Sequence, residues 1–251
     1  MKLQVNAVSH VGYQRDRNED YMFTGVRTLR DDETFHEIEV NTEIPLFFAV
    51  ADGLGGAAAG EVASKLAVEI FQKGLSNLSK DVTPKEIEAL FHSLTQETQK
   101  RLQELGERNP NFYGLGTTLT GVLSHRGGWY WVHVGDTRLY RLRDNQLTQV
   151  SRDHTLRELA SDARIPPHIL ANCFGGGSED VYCDVGTLPS LQPHRDALLL
   201  TSDGLHDHVP RSDIEKVLVE HSDNPIPYLL KLGLEAGGVD NISCLYIKVM
   251  E

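Results

Sequence analysis

The apolar positions of the chain fall into two kinds of run, and each kind predicts a different element. Continuous stretches at Phe47 to Ala51, Ala197 to Thr201 and Ile242 to Val249 have strand length and read as buried strands. Runs at Leu3 to Ser9, Tyr21 to Phe23, Thr117 to Leu123, Trp129 to Val134 and Arg138 to Leu142 predict further strands. The last three are broken by Arg126-Gly127-Gly128 and Gly135-Asp136. Helical spacing takes over elsewhere. Val62, Leu66 and Ile70 recur at i+4 beside Ala63, Ala67 and Phe71, which predicts an amphipathic helix after a glycine-dense turn. A second helix is predicted from about Pro84 to Gly106, with Pro84 in its first turn and Ile87, Leu90, Phe91, Leu94, Thr98, Leu102 and Leu105 as its stripe. A short polar link between the two predicts an antiparallel pair. Helices near 211–220 and 225–236 follow. The charged stretch 27–44 predicts a hairpin excursion around Phe35, Ile38 and Val40. Residues 151–180, with Pro166-Pro167 and Gly175-Gly176-Gly177, predict a mobile surface segment with one short helix near Thr155 to Ala160. The pattern alone says mixed α and β in one domain, with no repeat and no linker.

The chemistry stands where the apolar runs stop. Asp52-Gly53-Leu54-Gly55-Gly56 ends one buried strand, Ser202-Asp203-Gly204 ends another, and Gly237-Gly238-Val239-Asp240-Asn241 precedes a third. A carboxylate at the end of a buried strand is costly unless something positive meets it. Taken singly, each Asp-Gly is a turn, Asp136 is a hairpin turn, Glu19-Asp20 is a solvated pair and Arg15 is a surface residue. Acids at 20, 52, 136, 203, 207 and 240, most of them abutting an apolar strand, together predict convergence on a cation site.

These residues also carry a resemblance. Arg15-x-x-Asn18-Glu19-Asp20, Val50-Ala51-Asp52-Gly53-x-Gly55-Gly56, Gly116-Thr117-Thr118, Val134-Gly135-Asp136-Thr137-Arg138, Asp153-His154-Thr155, Ser202-Asp203-Gly204-Leu205-x-Asp207 and Asp240-Asn241 occur in one order over nearly the whole chain. In that order they resemble the metal-dependent protein phosphatases of type 2C, in their compact bacterial serine/threonine branch. The resemblance implies an α+β fold, a sandwich of two antiparallel sheets flanked by antiparallel helix pairs. Residues 1–251 would form one catalytic domain, with a flap-like segment at about 151–180.

It also implies a site. Asp52 would bridge two Mn²⁺ or Mg²⁺ ions, with the Gly53 carbonyl on one and Asp203 and Asp240 on the other. Asp20 and Glu19 would touch the metals or stand one contact behind. Asp136, with Asp207 as a weaker contributor, corresponds to the ligand set of a third ion. Oxygen donors of this kind suit hard divalent ions and not zinc. Two ions roughly 3.5–4 Å apart activate water for direct in-line attack on phosphoserine or phosphothreonine. Arg15 would grip the phosphate through its planar fork, so that Arg15 and Asp52 form the catalytic pair. Asn241 is expected to orient Asp240, and His154 to give structural support.

Some relatives carry a histidine acid directly after the Asp-Gly, where this chain has Leu54. Metal-held water, His206 and His208 are the candidates left for the acid. The flap's closing pattern is altered to Asn172-Cys173-Phe174-Gly175-Gly176-Gly177, and a buried inert thiol is the better reading of Cys173. The 27–44 excursion matches no family role, as either a docking surface or a decorated hairpin.

Charge and cysteine usage narrow the context. With 36 acids against 24 bases and a net charge of −12, no basic stripe is expected for nucleic acid or an anionic membrane. Three cysteines without a C-x-x-C pair suit a reducing compartment. No signal-peptide core and no membrane-length apolar run is present, so a cytoplasmic monomer is expected. Its partners would be phosphorylated proteins and a cognate serine/threonine kinase system. Two other readings stand beside this one. A silent phosphatase-like regulatory module would have lost a bridging or clamping residue, and a small-molecule phosphohydrolase would need basic residues near the cleft.

Overall fold

A computed structural model describes residues 1–55, 59–79, 81–166, 168–178 and 180–251 of the chain. Gly56 of the glycine-rich motif and Pro167 of the Pro-Pro pair lie outside the described residues. In chain order the first elements are β1 (Lys2–His10), β2 (Tyr21–Phe23), β3 (Thr28–Leu29), β4 (Asp32–Glu39), β5 (Leu46–Ala51), β6 (Gly53–Leu54), α1 (Ala59–Leu75) and α2 (Pro84–Arg108). Next come β7 (Gly116–Thr117), β8 (Leu119–His125), β9 (Gly128–Val134), β10 (Arg138–Arg143), β11 (Gln146–Gln149), α3 (Leu156–Ala160) and β12 (Phe174–Gly175). β13 (Asp184–Leu188), β14 (Asp196–Thr201), α4 (Asp203–His206), α5 (Arg211–Glu220), α6 (Ile226–Glu235) and β15 (Ile242–Val249) end the order.

Two antiparallel sheets of six strands, ordered β11-β10-β14-β15-β1-β4 and β13-β9-β8-β5-β2-β3, form the centre. The continuous apolar runs arise because their strands are covered on both faces. In β5, Phe48 and Val50 point between the sheets toward Leu198, Leu200, Leu245 and Ile247. Phe47, Ala49 and Ala51 point outward onto Ala63, Ala67, Val68 and Phe71 of α1 and Ile87 and Phe91 of α2. On the other side, Leu199, Cys244 and Tyr246 meet Ile214 and Leu218 of α5 and Leu229 of α6. The class is therefore α+β, in four layers αββα. α1 and α2 run antiparallel, as the stripes predict: Gly74, late in α1, packs on Leu94, while Leu66 and Arg108 line one groove. Thr83 and Glu86 close a capping box at the start of α2.

Three local expectations change. The 27–44 excursion is not a self-contained hairpin, because β3 pairs with β2 in one sheet and β4 pairs with β1 in the other. The register Leu3↔Ile38 puts Ile38 on the inner face, while Asn6↔Phe35 leaves Phe35 outward and 56% exposed. The strand predicted at 117–123 splits at Thr118. Gly116 and Thr117 join β6 and β12 in a small third sheet, and β8 continues in the main one. Segment 151–180 runs over the surface in its middle, where none of the described residues of 156–171 is buried, but both of its ends are packed. Phe174 is buried with its ring edge-on to Phe71, Gly175 N–H donates to Gln99, and Gly176 N–H donates to the Leu115 carbonyl.

Candidate metal centre

Every acid singled out in the sequence except Asp207, which caps the end of α4, lies at or beside a strand end, and the pairing registers put those ends on one rim of the sandwich. Thr201 at the end of β14 faces Arg138 and Cys244, at the starts of β10 and β15. Ala51 at the end of β5 faces Tyr21 at the start of β2. Asp52, Asp203, Asp240, Asp20 and Asp136 therefore leave their strands at the same rim. Ser202 ties the two sheets together there, its Oγ donating to Asp20 Oδ2 at 2.7 Å.

The backbone around each acid is fixed by neighbours that the motifs supply. Asp52 N–H donates to Thr118 Oγ1 at 3.0 Å, and the Asp52 carbonyl accepts from Thr118 N–H at 2.9 Å and Thr117 Oγ1 at 2.8 Å. The Gly116-Thr117-Thr118 motif is thus a clamp on Asp52. Gly53 must be glycine for contact reasons: a Cβ there would stand 2.2 Å from the Gly60 carbonyl oxygen of α1. Glu19 N–H donates to Asn241 Oδ1 at 2.8 Å, and the Asn241 amide donates to the Val11 and Arg17 carbonyls, both at 2.9 Å. Asn241 therefore holds the 11–19 turn through its side chain and, through its backbone N–H, donates to Asp240 Oδ1 at 2.8 Å, the orienting contact expected of it. Gly204 lets α4 close on that residue, since a Cβ there would stand 2.0 Å from the Asn241 carbonyl oxygen.

The carboxylates crowd one another without a balancing cation among the described residues close enough to serve them all. Burial, then repulsion from Asp203 and Asp240 working against hydrogen bonds from Ser202 and Ser243, pushes Asp20 up to about 7. Burial, then Asp20, Asp203, Asp136 and Asp240, drives Asp52 well above its ordinary value. Asp203 rises to about 6, by burial and then by Asp240 and Asp207, and lies within hydrogen-bonding reach of Asp52. Burial, then Asp203, Asp153 and Asp207, raises Asp136 far above its ordinary value, and burial raises Asp207 and Glu19. Arg15 reaches Asp240 Oδ2 with Nη2 at 2.5 Å while half of its side chain faces solvent. Glu19 turns its carboxylate to the Gly60 backbone N–H at the start of α1.

The residues fit a hard divalent ion. All donors are oxygens, and Asp20 Oδ1 and Asp203 Oδ1 are buried without a hydrogen-bond partner. Among the described residues no three acids, histidines or cysteines already stand in ligand geometry, because the carboxylates face Arg15, Ser202 and one another. Asp207 sits 3.8 Å from Arg138, which is itself bound through Nε and Nη2 to Asp153. His154 supports the Asp136 turn as expected: its N–H donates to the Gly135 carbonyl at 2.7 Å and its Nδ1 accepts from Gly135 N–H. His206 is buried against Thr201, and desolvation drives it well below its ordinary pKa, which disfavours the imidazolium form. Cys173 is half-buried, and burial pushes its thiol up to about 11, which disfavours the reactive thiolate.

Fold and rim together define a phosphatase-type α+β sandwich with an acidic centre, and the chain belongs to the protein phosphatase 2C family, whose model matches residues 25–225. Asp52, Asp136 and Asp203 fall inside that span, and Arg15, Asp20 and Asp240 outside it. The chain is 30% identical over 99% of its length to the serine/threonine protein phosphatase PstP of Mycobacterium tuberculosis, and spans 45% of that relative. It is 32% identical to the serine/threonine phosphatase stp of Listeria welshimeri, over 79% of this chain and 82% of that one. A crystal structure of the PstP catalytic domain in complex with two manganese ions superposes with a TM-score of 0.78 at 28% identity, covering all of both chains.

Proposed function

We propose that the chain is a metal-dependent serine/threonine phosphoprotein phosphatase, with residues 1–251 forming one catalytic domain. The observation that carries this reading is the convergence of Asp20, Asp52, Asp203 and Asp240 with Arg15 at one rim, in a family whose relatives bear that activity in their names. Asp52 would bridge two Mn²⁺ or Mg²⁺ ions, Gly53 would add its carbonyl, and Asp203 and Asp240 would hold the second ion. Asp20 and Glu19 would complete or support the set, and Asp136 and Asp207 would take a third ion. Such ions, when bound, supply an activated water and neutralise phosphoryl charge.

The chain's own groups do the rest. Arg15, which in this structure bonds Asp240, would take two phosphate oxygens with its fork and align phosphorus for in-line attack. Leu54 offers no acid, and desolvation disfavours the charged form of His206, so the leaving serine or threonine oxygen would take its proton from water or from His208, exposed on the same turn. Substrates would be phosphoproteins made by a serine/threonine kinase, met by a cytoplasmic monomer. Three free cysteines, two of them buried, support a reducing compartment. Among the described residues no helix is long and apolar enough to cross a membrane.

The test is hydrolysis of a phosphothreonine peptide by metal-stripped protein, titrated with Mn²⁺ and Mg²⁺ beside phosphotyrosine peptide and nucleotide controls. Metal-dependent release from phosphothreonine, with little from nucleotides, supports the reading. Preference for nucleotides would make the chain a small-molecule phosphohydrolase, and bound Mn²⁺ without any turnover would make it a regulatory module.

A further inference from the structure

We propose that Arg30, in the 27–44 excursion to which the sequence assigned no role, is a positioning residue of the metal centre. The inference rests on the reading of the acids as metal ligands. Arg30 Nε donates to the backbone carbonyl of Asp20 at 2.8 Å. Its Nη2 donates to the Glu61 carbonyl and to Ser64 Oγ, both at 3.0 Å, while Nη1 lies 3.0 Å from the Glu61 carboxylate. The guanidinium sits 4.8 Å over the Tyr21 ring, and only 15% of the side chain is exposed. Ser64, fully buried, donates its own hydroxyl hydrogen bond to the Glu19 carbonyl at 2.5 Å.

The Arg30 guanidinium and the Ser64 hydroxyl, bonded to each other, thus fix two successive carbonyls, Asp20 by Arg30 and Glu19 by Ser64, to the first turns of α1. That helix in turn packs against Gly53: a Cβ on Gly60 would stand 2.7 Å from the Gly53 carbonyl carbon. The segment carrying Glu19 and Asp20 and the segment carrying Asp52 and Gly53 are therefore spaced through α1, with Arg30 as the fastening. Only arginine offers donors in a fixed fork at this geometry; a lysine ammonium could serve one or two of the acceptors. None of these bonds touches substrate or metal, so the effect must appear as ligand placement. Removing a partner that orients metal ligands costs about 10–100-fold in metal affinity.

The experiment is Mn²⁺ binding to the folded, metal-stripped full chain, by equilibrium dialysis, for wild type, Arg30→Gln, Arg30→Lys and Ser64→Ala, with metal-free melting temperatures alongside. Arg30→Gln is expected to raise the Mn²⁺ dissociation constant about 10–100-fold, Arg30→Lys to recover only part of that loss, and Ser64→Ala to raise it several-fold. Phosphatase activity lost at low Mn²⁺ should return at saturating Mn²⁺. A lowered melting temperature with an unchanged dissociation constant in the folded variants would make Arg30 a fold staple only and overturn the proposal. If Arg30→Gln fails to fold, an unchanged constant in Ser64→Ala does so. Wild type that binds no Mn²⁺ would defeat the metal reading itself, and the inference with it.

Discussion

Ser202 Oγ donates a 2.7 Å hydrogen bond to Oδ2 of Asp20, a residue 182 positions earlier at the end of the opposite sheet. The same hydroxyl accepts the Ser243 N–H at 2.9 Å, so a single oxygen joins the strand ends that carry Asp20, Asp203 and Asp240. Asp20 Oδ1 has no partner, which makes Ser202 one of the few groups that stabilise this buried carboxyl. Ser202→Ala leaves the carboxyl still poorer in donors. Urea denaturation should show a loss of about 1–3 kcal/mol, and an unchanged midpoint would mean that the bond carries no net stability.

Asp203→Asn and Asp240→Asn should each end turnover while leaving the fold. The fall in kcat should exceed the roughly 10–100-fold cost of losing a residue that merely supports a ligand. In metal-free protein the melting temperature of Asp203→Asn should hold or rise, because the substitution removes one charge from the cluster that raises Asp52 and Asp136. Near-normal turnover of Asp203→Asn at low Mn²⁺ would remove Asp203 from the ligand set.

Arg15→Ala should act mainly on KM, since the guanidinium meets phosphate before and during the chemistry. Arg15→Lys should recover little, because an ammonium lacks the fork. Steady-state kinetics on a phosphothreonine peptide separates the two parameters, and a defect confined to kcat would contradict the clamp role.

The acids were legible because each interrupts a long apolar run: Asp52 follows Phe47 to Ala51, and Asp203 follows Ala197 to Thr201. The same runs carried the sandwich, since their strands are buried on both faces. Arg30, Ser64 and Ser202 were not legible. Arg30 and Ser64 stand outside every motif, Ser202 marks only the residue before Asp203, and the meaning of each depends on partners 10, 45 and 182 positions away. The strands β11 and β13 were missed for another reason. Their burial is partial, with Leu147 alone buried in β11, so no apolar run marks them. Segment 151–180 looked mobile from its glycines and prolines, yet Phe174 seats in the core beneath α1 and holds its end.

His133 supplies a pH dependence. It is buried between Thr120 and the Arg152 carbonyl, and desolvation, then the nearby His154, lowers it to about 3. Its unfolded value is about 6.5, so between those values the unfolded chain binds the extra proton. The histidine's contribution to stability is therefore full above about pH 6.5 and is lost as pH falls toward 3, with a slope of at most about 1.4 kcal/mol per pH unit. Comparing denaturation of wild type and His133→Gln from pH 7 to 4 isolates this contribution from the acids, whose raised values act in the opposite direction. The stability gap between the two should narrow as pH falls, and a gap independent of pH would contradict the neutral buried state.

The most direct measurement of the central claim is a count of Mn²⁺ bound per metal-stripped chain, with phosphothreonine hydrolysis followed in the same titration. The account predicts two tightly held ions, with phosphate release rising as the second site fills and disappearing with excess chelator. Turnover that persists in chelator, or a chain that binds no Mn²⁺ while keeping its fold, would contradict it.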